Sequence, residues 1–181
     1  MQNQERPLPQ AELSERRLSA FRSRLDRYRV DPSLVRALAE RKATVLLAED
    51  SSVNRKVAMG ILKRFGISAF PAENGQQAVE ALRHRGFDLI LMDVHMPGMD
   101  GLEATRTIRS LGGAISRTPI IAMTASVLPE DRNSCLQAGM NDFVAKPVDL
   151  AALAEVLNRW LLAPSAPGED TAENRPQLSV R

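Results

Sequence analysis

The stretch Leu89-Ile90-Leu91-Met92-Asp93-Val94-His95-Met96-Pro97-Gly98-Met99-Asp100-Gly101-Leu102 sets the fold of this chain. Four apolar residues run without alternation, as in a strand buried on both faces, and stop at a carboxylate. Pro97, Gly98 and Gly101 punctuate the loop that follows, and a helical pattern then runs from Leu102 to Arg109. A buried strand that hands an aspartate to a Gly/Pro-rich loop and continues as a helix is half of a parallel β–α–β unit.

The same unit recurs on either side. Upstream, Thr44–Ala48 is a buried-type strand ending at Glu49-Asp50. Val53, Val57, Ile61, Leu62 and Phe65 then mark a helix closed by Gly66. Ile67–Phe70 is a weaker strand, and Gln76–Arg85 is a helix with Ala78, Val79 and Leu82 inward. Downstream, Pro119–Met123 is a strand ending at Thr124, and a helix over Pro129–Gln137 stops at Gly139. Asp142–Ala145 is a strand ending at Lys146-Pro147, and Leu150, Leu153, Leu157 and Trp160 mark a last helix capped by Asp149. This alternation predicts a doubly wound α/β fold: five parallel strands, right-handed crossovers and helices on both faces.

In such sheets ligands bind beyond the carboxyl ends of the strands. Each residue just after a strand therefore belongs to one rim: Glu49 and Asp50, then Asp93, Thr124 and Lys146. Close carboxylates repel and raise one another's pKa unless a cation sits among them. Mg²⁺ suits such a set, since it takes one or two carboxylates and completes its shell with waters and phosphate oxygens. Lys146 supplies a point charge for a phosphate oxygen and Thr124 a hydroxyl donor. These groups are the equipment of phosphoryl transfer, with Asp93 on the middle strand as the expected nucleophile forming an acyl phosphate.

The same residues carry a resemblance. Leu91 to Glu103 resembles the phosphoacceptor segment of response regulator receiver domains, the CheY-like family. Ala48-Glu49-Asp50 resembles its acidic pair, Ala122-Met123-Thr124-Ala125 the segment with its switch hydroxyl, and Gly139 to Pro147 its lysine–proline segment. All four stand in family order and spacing, and the likeness covers about Ala43 to Leu162. It implies a flavodoxin-like strand order of 2-1-3-4-5. It implies Asp93 as phosphoacceptor. Asp50 and Asp93 would be carboxylate ligands of Mg²⁺, with Glu49 acting mainly through a metal-bound water and the His95 backbone carbonyl completing the site. Thr124 and Lys146 would contact the phosphate. Thr124 and Phe143 would form the switch, Pro129–Trp160 would be the responding face, and the Lys146–Pro147 bond would be cis. Three positions depart from the commonest family pattern. Phe143 stands where many members have Tyr, His95 occupies a variable place two residues after the acceptor, and Ser51 follows the acidic pair where Asn or Asp is more usual.

Asn54-Arg55-Lys56-Val57-Ala58 and Gly139-Met140-Asn141-Asp142 resemble receivers of hybrid histidine kinases and phosphorelays. A histidine kinase or a histidine phosphotransfer protein is therefore the expected donor, with a downstream protein meeting the Pro129–Trp160 face. His84 and His95 are the only histidines and both fall inside the receiver region, so no internal phosphodonor is expected. After Leu162 the chain is too short for a DNA-binding output domain, which points to protein–protein control, phosphate shuttling or a phosphate sink.

Composition adds bounds. Residues 1–42 carry ten bases against six acids, whereas residues 43–181 carry 14 bases against 16 acids. The basic excess is thus an N-terminal arm, read as a helical extension from Leu18, Phe21, Leu25 and Tyr28 and a second helix starting at Asp31-Pro32. The domain reading is an extension over 1–42, a receiver over 43–162 and a disordered tail over 163–181. A nucleic-acid role rests on that arm alone and is the weaker expectation. Cys135 is the single cysteine, and no signal peptide or membrane span is legible, which fits a cytoplasmic protein. Two rival functions fail on particular residues. A haloacid-dehalogenase-like phosphatase needs a second Asp two residues after the nucleophile, and His95 stands there. A flavodoxin-like phosphate cradle after the first strand would meet the repulsion of Glu49-Asp50.

Overall fold

The computed structural model of the 181-residue chain describes residues 30–126 and 128–162. The expected helix around Leu18–Tyr28 and the expected tail from Pro164 lie outside them. In chain order the elements are α1 (Pro32–Arg41), β1 (Thr44–Ala48), α2 (Ser52–Arg64), β2 (Ser68–Ala72), α3 (Gly75–His84), β3 (Leu89–Asp93) and α4 (Gly101–Ser110). A 3₁₀ turn at Ile115–Arg117 follows, then β4 (Ile120–Thr124), α5 (Pro129–Ala138), β5 (Asp142–Ala145), α6 (Leu150–Leu157) and a π turn at Asn158–Leu162.

The helices begin where short polar side chains can satisfy their first free N–H groups. Asp31, Ser51, Asn74, Asp100 and Asp149 each accept a hydrogen bond from a backbone N–H two or three residues ahead. Helix α5 has no such cap and starts instead on Pro129, whose fixed φ suits a first helical turn. Ser51, the departure noted above, is thus a cap for α2: its Oγ accepts from the Asn54 N–H at 3.4 Å.

The five strands form one parallel sheet in the order β2-β1-β3-β4-β5. β3 and β4 are buried along their whole length, as their unbroken apolar runs require. Side chains alternate between two cores, one on each face. Val45, Leu47, Leu89, Leu91, Ile121 and Met123 join Leu62, Phe65, Leu153 and Leu157 on one side. Leu46, Ala48, Ile90, Met92, Ile120 and Ala122 join Ala78, Leu82, Ala104 and Ile108 on the other. Each Leu in these cores contributes roughly 1.5–3 kcal/mol through burial.

One strand differs from the sequence expectation. β2 runs to Ala72 and so includes Pro71, which the apolar pattern did not extend to. β2 is an edge strand that pairs only with β1, so a missing N–H on its open side breaks no ladder bond. Helix α1 starts as expected on the Asp31 cap and Pro32, and it packs on the sheet domain: Leu38 is fully buried in the first core, the Arg41 Nε donates to the Leu161 carbonyl at 3.3 Å, and Arg41 lies 3.4 Å from Asp88. Among the described residues no helix is long and apolar enough to cross a membrane.

One glycine is dictated by the site itself. Gly101 opens α4 directly against β3, with its N–H donated to the Val94 carbonyl at 3.0 Å. A Cβ added there would lie 2.1 Å from the Asp93 carbonyl oxygen, so α4 and the end of β3 approach as closely as two backbones can. Gly101→Ala is expected to lower stability by about 2–3 kcal/mol through overpacking. Urea unfolding reads the effect, and an unchanged midpoint would mean that the start of α4 yields without cost.

Candidate functional site

The carboxyl ends of β1, β3, β4 and β5 meet at one rim because the backbone locks them there. The Glu49 N–H donates to the Ala72 carbonyl at 3.0 Å, Val94 N–H to Met123 at 3.2 Å, and Lys146 N–H to Thr124 at 2.7 Å. The loops that leave the strands are therefore tied to their neighbours at the level of the site. The Lys146–Pro147 bond is cis.

On this rim one carboxylate oxygen each from Glu49, Asp50 and Asp93 lies within 4.8 Å of the others. Glu49 is 1% exposed and Asp93 3%, whereas Asp50 faces solvent, so the cluster is closed below and open on one side. Lys146 reaches across from β5. Its Nζ lies 2.7 Å from Glu49 Oε2 and 2.6 Å from Asp93 Oδ2. The His95 backbone N–H donates to Asp93 Oδ1 at 3.1 Å, while the His95 side chain points into solvent. Among the described residues every buried side-chain nitrogen and oxygen has a hydrogen-bond partner.

Electrostatics follow from this packing. Burial pushes the Asp93 carboxyl above the usual carboxylate range, and the neighbouring negative charge of Glu49 adds to the push. Hydrogen bonds from Lys146 and the His95 N–H, and the Lys146 charge, oppose it without cancelling it. Burial on its own would lower Lys146, but hydrogen bonds to Asp93 and Glu49 and their charges hold its ammonium above the ordinary lysine value. One cation thus bridges two buried carboxyl groups, with the exposed Asp50 beside them.

The expected switch residues sit beside this cluster. The Thr124 hydroxyl donates to the Ser126 carbonyl at 2.9 Å and accepts from the Ser126 N–H at 3.1 Å, so it is engaged with its own loop. Phe143 is half-buried against the second core, and the Arg132 guanidinium of α5 lies 4.1 Å from its ring centroid. A cavity of about 90 Å³ lies under the rim between α2 and the Lys146–Pro147 turn, lined by Glu49, Asn54, Val57, Met123 and Val148 among others.

Residue types alone left some of the site's supports unread. Asn54 Nδ2 donates to Glu49 Oε1 at 3.1 Å, and Arg55 donates to the backbone carbonyls of both Glu49 and Asp50. Their position was the available signal: residues in the first turn of a helix can fold back over the loop that precedes it. Arg109 is a second omission. Its guanidinium donates to the carbonyls of Ser116, Thr118 and Gly139 and to Asn141 Oδ1, tying α4 to the turn that leads into β5.

The chemical capacity of the rim is narrow. Its metal-ligating atoms are all hard oxygens, with no His or Cys side chain among them, and the exposed Asp50 leaves a side open to water. That set fits a small hard cation that retains waters. Comparison with known proteins agrees with this chemistry. Residues 45–158 match the family model described as the response regulator receiver domain. The chain is 35% identical over 146 residues to the sensor histidine kinase GacS of Pseudomonas protegens, covering 79% of this chain and 16% of that protein. It thus spans a small part of the length of the histidine kinases it matches. Among solved structures, the receiver domain of the sensor histidine kinase PA1611 of Pseudomonas aeruginosa, with magnesium coordinated in its active-site cleft, is 43% identical. The TM-score is 0.63, and the match covers 67% of this chain and 98% of that one. The receiver domain of Ssk1 in complex with the histidine phosphotransfer protein Ypd1, from Saccharomyces cerevisiae, gives 34% identity, a TM-score of 0.62 and coverage of 67% and 90%.

Proposed function

This chain belongs to the response regulator receiver domain family, a signalling module of two-component and phosphorelay systems, and from that premise we propose that Asp93 accepts a phosphoryl group from a phosphohistidine on a partner protein. The observation that carries the proposal is Asp93 itself: a buried carboxylate 2.6 Å from Lys146 and clustered with two further carboxylates at the end of the central strand.

The chain's residues divide the work. One Asp93 oxygen forms a bond to phosphorus as the P–N bond of the donor breaks, and the released imidazole takes up a proton. Lys146, already paired with Asp93, is placed to follow the negative charge onto a phosphoryl oxygen. Thr124 can exchange its bonds to Ser126 for one to the phosphoryl group. Asp50 and Asp93, helped by Glu49 through water and by the His95 carbonyl, would hold a Mg²⁺ that offsets the charge of the transferring group. A later attack by water on phosphorus restores the Asp93 carboxylate and releases inorganic phosphate. The chain's chemistry is its own phosphorylation and dephosphorylation, with no separate substrate turned over.

The donor is read as a histidine kinase or a histidine phosphotransfer protein, supported by the Ypd1 complex of the related Ssk1 receiver. Val53 and Val57 on α2, 67% and 51% exposed beside the site, offer that partner an apolar contact. The output is read as the face from Pro129 to Trp160, where Leu136 stands exposed, with Leu128 exposed just ahead of it. Phosphorylation adds about 1.5–2 negative charges and three acceptor oxygens, which would draw Thr124 inward and free space for Phe143. The reducing cytoplasm suits the unpaired Cys135. The domain reading of an extension, a receiver body and a tail is kept, with α1 packed onto the body.

The deciding experiment is incubation of the full chain with a small phosphodonor, read by intact mass with Mg²⁺ or with EDTA. A single phosphoryl adduct that forms with Mg²⁺ and vanishes with EDTA is expected. Absence of an adduct under both conditions, or turnover of a phosphate ester at many equivalents per chain, would overturn the proposal.

A further inference from the structure

Arg55 lies in the first turn of α2, five residues after Asp50, yet its side chain turns back over the loop instead of out to solvent. Its NH1 group donates to the Glu49 carbonyl at 2.7 Å and to the Asp50 carbonyl at 3.2 Å. Its NH2 group meets Glu73 Oε1 at 2.7 Å, just beyond β2. The Arg55 side chain is only 14% exposed, while Glu73 is 61% exposed. The Glu49 peptide is therefore held from both sides, by Ala72 at its N–H and by Arg55 at its carbonyl.

Charge alone does not account for this placement. A guanidinium on the loop that carries Glu49 and Asp50 adds positive charge near a divalent cation held there, an effect that its partner Glu73, 61% exposed, offsets only in part. The benefit has to come from geometry, and the fork of Arg can span two successive carbonyls and a carboxylate at once. We propose that Arg55 is a positioning residue, which fixes the Glu49–Asp50 loop in the shape that the cation site requires. The inference rests on the Mg²⁺ reading of the site given above. Groups that orient metal ligands from outside the coordination sphere commonly change metal affinity by about 10–100-fold when removed.

The sign of the effect makes the test decisive. Mg²⁺ titration of the full chain by calorimetry compares the parent with Arg55→Met and Arg55→Lys, with circular dichroism to verify folding. Positioning predicts that Arg55→Met binds Mg²⁺ about tenfold more weakly, whereas loss of a repelling charge predicts tighter binding. Arg55→Lys keeps the charge and loses the fork, so weaker binding by a smaller factor is expected, and this variant carries the test if the Met variant does not fold. In metal-free protein the amides of residues 49–51 are expected to exchange faster in both variants. Parent-like or tighter Mg²⁺ binding by the variants would overturn the role of Arg55 and leave the site intact. Absence of Mg²⁺ binding by the parent would instead overturn the site reading beneath it.

Discussion

Asp93→Asn is expected to gain no phosphoryl group under the conditions in which the parent chain gains one. An amide oxygen is too weak a nucleophile to replace the carboxylate, so the expected loss is complete and not graded. The control against simple unfolding is built into the electrostatics. Burial raises the Asp93 pKa above its usual range. A carboxyl shifted this way favours the fold while protonated, and that contribution is lost as pH rises through its folded pKa. Above that pKa the ionised side chain therefore weighs against the fold, and the isosteric amide removes that cost. Asp93→Asn should be at least as stable to urea as the parent while carrying no adduct. An adduct equal to the parent's would move the acceptor to another carboxylate, with Glu49 and Asp50 the first to be tried.

The second large effect belongs to Lys146. Its ammonium lies 2.7 Å from Glu49 and 2.6 Å from Asp93, both almost wholly buried. Lys146→Met leaves two facing carboxylates with no cation between them, and breaking a buried ion pair in this way costs about 3–5 kcal/mol. Because Lys146 keeps some solvent contact, the lower end of about 3 kcal/mol is expected at neutral pH without metal. The loss should shrink as the pH is lowered, since a proton on the raised Asp93 carboxyl then replaces the missing charge. The sign follows from Asp93: its carboxyl is already raised in the parent, removal of the opposing Lys146 raises it further, and stability declines as pH climbs through that value. Mg²⁺ should recover part of the stability, since a ligand that binds only the folded state stabilises it. Urea unfolding at neutral and at acid pH, with Mg²⁺ or EDTA, measures all of this. A loss independent of both pH and metal would mean that Lys146 acts by packing, not by charge.

Much of the fold was legible because its signals are local. Leu89–Met92 and Ile120–Met123 are unbroken apolar runs, and such runs make central strands of a parallel sheet. Asp31 and Asp149 cap their helices as expected from the sequence, while Ser51, Asn74 and Asp100 do the same work without having been singled out as caps. The weaker elements were harder for the same physical reason in reverse. β2 is half exposed and carries Pro71, so neither its pattern nor its propensity marks its end, and pairing with β1 sets it instead. The packing of Leu38 into the first core, with Leu34 and Val35 beside it, was equally out of reach, since a short apolar stripe does not say which surface it will meet.

Which side chains share a rim could be read from the chain: strand–helix alternation with one crossover hand puts the residue after every strand at the same edge, so Glu49, Asp50, Asp93, Thr124 and Lys146 could be named without coordinates. How those groups engage one another emerged only from the folded molecule. That Lys146 bridges Glu49 and Asp93, that Thr124 turns to Ser126, and that Arg55 and Arg109 hold the loops are matters of ångströms between residues far apart in the chain. Such distances are set by the joint packing of two cores and by the hydrogen-bonding demand of buried backbone groups, which no local run of residues encodes.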